Sequence, residues 1–275
     1  MDYKIQILNG YKLYFDQITN VFRSRYLMKD NINLDELTEE TGLNRRKTRL
    51  LLNYLADMGL NEKRTLNKTD LGQIIFENDD FLEDLGTLWL MHYLSASNEY
   101  FVIWNRFFNY ISDKSKFSVK EALNLFTDLE GEISTYSYNH HIRKELLQIM
   151  IDAYVRRRLS ELGLIEKLKD EAMYYVNINN EIPERIFLAA CLKFRDNFYK
   201  GATSIEIDDL VHKANSPGRI FILTGKKVRN ILDKLKDKRL IGVESRGDLD
   251  QIRFPNNISF EKIISDYYEN KLRRN

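Results

Sequence analysis

The sequence predicts a mainly α fold in which tandem winged-helix modules, each a helix-turn-helix plus short β-hairpin wing, surround a central aromatic helical layer. Residues 34–60, LDELTEETGLNRRKTRLLLNYLADMGL, have helix-turn-helix spacing. Residues 81–110 carry Trp89, Tyr93, Tyr100, Phe101, Trp104, Phe107, Phe108 and Tyr110 at helical rather than alternating intervals. Only three prolines and twelve glycines in 275 residues suit a chain of helices with short strands. That length exceeds the usual single core, so three units are expected: 1–78 with an N-terminal helix and the first winged helix, 79–180 with the central layer and a second module, and 181–275 with the third.

Taken in order, residues 11–28 place Tyr14, Phe15, Ile18, Val21 and Phe22 on one helical face, and Arg23 and Arg25 are read as solvated charges. Leu34 and Leu37 start the next helix, Gly42 breaks it, and Asn44 caps a recognition helix whose inner face holds Thr48, Leu52 and Leu55. Residues 61–76 supply a wing with Lys63 and Arg64 at its tip, then a helix capped by Thr69 and reaching Phe76. The aromatic layer follows as two buried helices with a break near Ser95-Ala96-Ser97. The second module reads as a helix over 117–126 opened by Ser118, a long helix over about 138–162, and two strands about a Lys169-Asp170-Glu171 turn. Pro183 opens a helix over 184–198 that Gly201 ends. The third module reads as a helix over 205–211, a connector over 215–223, and a helix capped by Thr224. Two strands about Arg246-Gly247-Asp248 and a closing helix over 260–272 with a basic KLRRN tail complete it.

Charge directs the functional reading. With 42 basic and 41 acidic residues the net charge is +1, so any basic surface is local. Asn44, Arg45, Arg46, Lys47, Arg49 and Asn53 lie on the first recognition helix or at its start, with Lys63 and Arg64 at its wing. Between Arg219 and Arg246 nine basic residues face three acidic ones, with Lys226, Lys227 and Arg229 at a helix start and Arg246 at a wing tip. These are the places where a winged helix meets duplex DNA, the expected partner. Asn44 and Asn53 are candidates for base-edge contact. Arg219, presented by SPGRIF, either clamps a phosphate or carboxylate or satisfies carbonyls across a domain junction. Arg156, Arg157 and Arg158 point in three directions around a helix and read as a solvated face.

Catalytic patterns are absent from the sequence. It holds no GxGxxG, GxxxxGK[ST], HExxH or CxxC. His92 sits in an apolar segment and reads as a core residue, adjacent His140 and His141 as surface residues, and Cys191 as a small core side chain. The expectation is therefore no enzyme, no cofactor and no metal. A single cysteine, no run of eighteen apolar residues and no signal-peptide pattern point to a cytoplasmic protein without a membrane partner.

Four stretches, Thr69-Asp70-Leu71-Gly72, FLEDLGTLWLMHYLSAS at 81–97, LGLI at 162–165 and SPGRIF at 216–221, together resemble an uncharacterised bacterial family, domain of unknown function 4007. The resemblance runs through nearly the whole chain and transfers no catalytic residues. It implies proteins encoded near phage-defence genes, including DNA phosphorothioation systems, and hence DNA as a partner. This chain lacks the family's frequent F-x-x-H-E-x-F motif: Phe15-Asp16-Gln17-Ile18 holds no histidine. The cysteine-rich connector of some relatives is short here. The expectation is a non-enzymatic, DNA-binding component of a bacterial phage-defence or DNA-modification system, working with other proteins of that complex. The alternative is a protein–protein adaptor that docks a larger defence or modification enzyme.

Overall fold

Apolar residues three and four apart make an amphipathic helix of α1 (Phe15–Leu27), which buries Phe15, Ile18, Val21, Phe22 and Tyr26. These elements belong to a computed structural model, which describes residues 3–63, 65–167, 173–178, 180–246 and 249–272. The stripe also takes in Arg25, which is 1% exposed, so its expected reading as a solvated charge is overturned. Its guanidinium donates to the carbonyls of Leu66 and Lys29. Arg23 instead pairs with Asp80 at 2.8 Å and lies over the Phe81 ring.

In α2 (Leu34–Thr41) a capping box joins Asn33 and Glu36, and Gly42, at φ +65°, ends the helix. The Asn44 side chain then accepts the Lys47 N–H and starts α3 (Arg45–Asp57), whose buried side carries Thr48, Leu51, Leu52, Tyr54 and Leu55. Both α1 and α2 pack on α3. Where a hairpin is expected after α3, the described residues hold one isolated antiparallel bridge, Asn61 with Lys68. Thr69 caps α4 (Asp70–Asp79), which runs past Phe76. A Cβ on Gly72 would lie 1.8 Å from the Tyr26 hydroxyl and 2.2 Å from the Leu60 carbonyl, so only glycine lets α4 approach this closely.

The central layer begins with α5 (Leu85–Ala96), capped by Asp84 and buried from Gly86 to Ala96. After the expected break comes α6 (Val102–Ile111). His92 fills the middle of the aromatic core: Nδ1 meets the Tyr154 hydroxyl at 2.6 Å and Nε2 the Ile220 carbonyl at 2.9 Å. A carbonyl only accepts, so Nε2 carries the proton and Nδ1 accepts from Tyr154. Burial lowers the His92 pKa to about 4, consistent with a neutral ring.

Ser118 caps α7 (Val119–Asn124), but Phe117 lies in β1 (Lys116–Ser118) rather than in the expected helix. The expected single helix over 138–162 is also corrected. Its backbone is π-helical over Ser137–Ile142 and Lys144–Ile151 and α-helical over α8 (Asp152–Arg156). It breaks at Arg157, whose backbone is extended and whose guanidinium pairs with Asp152 and covers the Tyr14 ring. A 3-10 turn over Arg158–Leu162 follows, ended by Gly163. The adjacent strands β2 (Ile165–Glu166) and β3 (Met173–Val176) join β1 in an antiparallel sheet of order β1-β3-β2. The expected turn residues Lys169, Asp170 and Glu171 lie outside the described residues.

Beyond Pro183, α9 (Glu184–Phe198) matches the expected span. Next come β4 (Ser204–Glu206), α10 (Ile207–His212), α11 (Pro217–Ile220) and α12 (Gly225–Asp237). The hairpin of β5 (Gly242–Arg246) and β6 (Leu249–Arg253) leads to α13 (Phe260–Leu272). Residues 204–206 pair with β6 in a second antiparallel sheet, β4-β6-β5, so the helix expected from 205 starts at Ile207. The expected connector contains α11 because Ser216 caps Arg219 and Pro217 fixes the first turn. Gly247 and Asp248 of the expected turn, and the Arg273-Arg274-Asn275 end of the tail, lie outside the described residues. The last helix packs on α9 and α4, and buried side chains from Ile7 to Tyr268 form one contiguous core across all three expected units. Among the described residues no helix is long and apolar enough to cross a membrane.

Candidate nucleic-acid interface

Helical spacing sends Thr48, Leu51, Leu52 and Leu55 of α3 inward and leaves Arg46, Arg49 and Asn53 exposed on the opposite side. The first turn of α3 holds no acid. Neither Arg46 nor Arg49 has an ion-pair partner among the described residues. Arg45 pairs with Asp35 across the turn, both side chains remaining exposed. Lys47 lays its ammonium 5.4 Å from the Tyr11 ring centroid and 5.9 Å from that of Tyr14. The Asn44 side-chain oxygen Oδ1 is occupied in capping, accepting the Lys47 N–H. Lys63 pairs with Asp57 at 2.6 Å and sits over Tyr100, while Arg64 lies outside the described residues.

The C-terminal candidates have a different environment. Lys227 pairs with Glu181 at 2.9 Å and also donates to the Asn180 carbonyl. Both Asp250 oxygens accept from Arg229, which raises the Arg229 pKa and lowers that of Asp250. Arg219 donates to the carbonyls of His212 and Asn109 and pairs with Asp113 at 2.7 Å, so it joins α11 to α6. Beside it Asn215, 2% exposed, accepts from Asn105 and Asn109 of α6. Lys226 and Arg246 remain exposed without an ion-pair partner among the described residues. Five cations of the window of highest sequence charge, Arg219, Lys227, Arg229, Lys234 and Lys238, are thus paired, each with an acid outside that window. Lys236 and Arg239, like Lys226 and Arg246, stay exposed without an ion pair among the described residues.

Two features escaped the sequence reading. Arg25 and Tyr26 hold the segment after α3 from both ends, the Tyr26 hydroxyl donating to the Leu60 carbonyl and accepting from the Thr69 N–H. Their signal was present, since Arg25 falls within the apolar stripe of α1. The other is a cleft of 710 Å³ beside α3, reached by Lys4, Arg49, Asn53 and Tyr100, which no local pattern marks. His92 and Cys191 are buried, and burial pushes the Cys191 thiol pKa up, whereas His140 and His212 are exposed and His141 partly so. Among the described residues no three histidine, cysteine, aspartate or glutamate side chains converge as metal ligands.

Solved structures of SspB share this fold. A magnesium-bound crystal structure of SspB aligns with a TM-score of 0.70 at 14% identity, covering 98% of this chain and 96% of its own. A second SspB crystal structure gives 0.72 at 15% identity, covering 96% and 86%. No curated protein matches the chain. The family model described as Protein of unknown function (DUF4007) matches residues 54–268, from the last turn of α3 into α13, and the chain belongs to that family.

Proposed function

We propose that this protein is a non-enzymatic DNA-binding component of a bacterial DNA-modification or phage-defence system, gripping duplex DNA through winged-helix surfaces. The observation that carries the reading is the exposed face of Arg46, Arg49 and Asn53 on α3, a helix with no acid in its first turn that follows a capped helix and a glycine turn. In a helix-turn-helix the second helix enters the major groove and flanking cations hold phosphates. The α2–α3 pair with the 61–68 segment serves as the first module, and α12 with the β5–β6 hairpin as a second, contributing Lys226 and Arg246. The fold shared with SspB and the context implied by the family resemblance support the system assigned.

Fluorescence anisotropy with labelled duplex across a salt series tests this. The log–log slope should be about −0.9 per neutralised phosphate. Arg46→Ala/Arg49→Ala should weaken binding and flatten that slope more than Lys226→Ala/Arg246→Ala. No binding at low salt would reject the reading. It would leave the adaptor function, which the exposed Phe81 and Leu85 beside the start of α5 favour.

A further inference from the structure

The cleft beside α3 is bounded by its exposed face, by the segment after it and by Tyr100 in the turn before α6. Its volume, 710 Å³, falls within the roughly 300–1,000 Å³ common for small-ligand sites. Three cations line it, Lys4, Arg49 and Lys63, against one carboxylate, Asp57. Asp57 is taken by Lys63, leaving Lys4 and Arg49 without an ion-pair partner among the described residues. Lys4 is half-buried, its backbone N–H donated to the Tyr100 carbonyl at 2.7 Å. Burial lowers its pKa, so an anion entering the cleft would restore what solvent no longer supplies.

The remaining walls suit a base. Asn53 stands one turn beyond Arg49 and offers both a donor and an acceptor. The Tyr100 ring is half-buried, backed by Phe101 at 5.9 Å between centroids, and the Lys63 ammonium that stands 5.7 Å from its centroid is what a stacking base would displace. Aromatic rings bind bases by stacking, which requires a base whose face is free. Paired bases inside a duplex have both faces covered by their neighbours.

We propose that this cleft receives one unpaired nucleotide of a bound DNA strand, with its phosphate between Lys4 and Arg49, its base against Tyr100, and Asn53 at the base edge. The proposal rests on the DNA-binding reading and gives it a substrate class, duplex with an extrahelical or unpaired position.

The test compares a perfect duplex with the same duplex carrying a single-nucleotide bulge, using the full chain at matched salt. The bulged duplex should bind roughly tenfold more tightly. Asn53→Ala, an exposed change that leaves folding intact, and Tyr100→Leu should each shrink that ratio. A 5-iodouracil placed in the bulge should crosslink to Tyr100 on irradiation, located by mass spectrometry. Equal affinities for the two duplexes, a ratio unchanged in both variants, or crosslinking only elsewhere would overturn the proposal while leaving duplex binding standing. Failure to bind either duplex would overturn the DNA-binding reading, and this one with it.

Discussion

The Asp250 carboxylate grips the Arg229 guanidinium through both oxygens, one of them at 2.9 Å, and so ties β6 to α12. The pair removes a cation from the surface that sequence alone marks as most basic. Asp250→Asn should release it. If α12 faces DNA, duplex affinity at low salt rises and the log–log salt slope steepens by up to about 0.9, one added phosphate contact. An unchanged slope in the anisotropy series would remove the C-terminal module from the interface.

Arg25 should prove structural as well as positioning. Arg25→Met leaves the Leu66 carbonyl, at a residue with φ +61°, without its charged donor. The expected loss is about 2–3 kcal/mol in urea unfolding. Hydrogen exchange should accelerate at the Glu62 amide, which donates to the Asn67 carbonyl in the same segment. Protection retained at Glu62 would show that Tyr26 alone holds the segment.

Gly72→Ala tests the close approach of α4. The added methyl meets both the Tyr26 hydroxyl and the Leu60 carbonyl, and overpacking of this kind typically costs roughly 1–3 kcal/mol. A urea midpoint within error of the wild type would mean that α4 shifts at no cost.

Two buried titrating groups should oppose each other. Burial raises the Glu145 carboxyl from 4.5 to about 7, while it also accepts from the Ile7 N–H and Trp104 Nε1. The folded state therefore holds that proton more tightly, and its contribution is lost as pH rises from about 4.5 to 7. His92, lowered from 6.5 to about 4, contributes above 6.5 and loses that contribution as pH falls toward 4. The two trends offset between about pH 4.5 and 6.5. Glu145→Gln removes one of them, so its stability relative to wild type should grow by roughly 3 kcal/mol between pH 4.5 and 7. A constant difference in urea unfolding across that range would show that Glu145 titrates normally.

Local signals in the sequence located much of the fold. The caps at Asn44, Thr69, Ser118 and Thr224 are short-range chemistry, legible because each donor and acceptor lies within three residues. The helix after Pro183 and the closing helix were equally plain. Less legible were features decided at long range. Residues 204–206 carry no strand signal of their own and become a strand by pairing with residues 251–253. Charge windows missed the pairing of their own cations for the same reason. Lys227 and Arg219 meet Glu181 and Asp113, acids that lie outside the window in which the cations were counted. The buried state of Arg25 was legible in its apolar stripe, but charge outweighed position in that reading.

The closing of α13 on α5 bears on how the chain acquires its structure. Tyr268 meets Thr87 through their hydroxyls at 2.6 Å, and Tyr267 reaches Asp84, across separations of 181 and 183 residues. Until residues 260–272 have been synthesised, the start of α5 lacks this cover and a nascent chain presents apolar surface. Contacts of such long sequence separation slow folding, and chains that still lack them leave apolar surface open to aggregation or chaperone capture during translation.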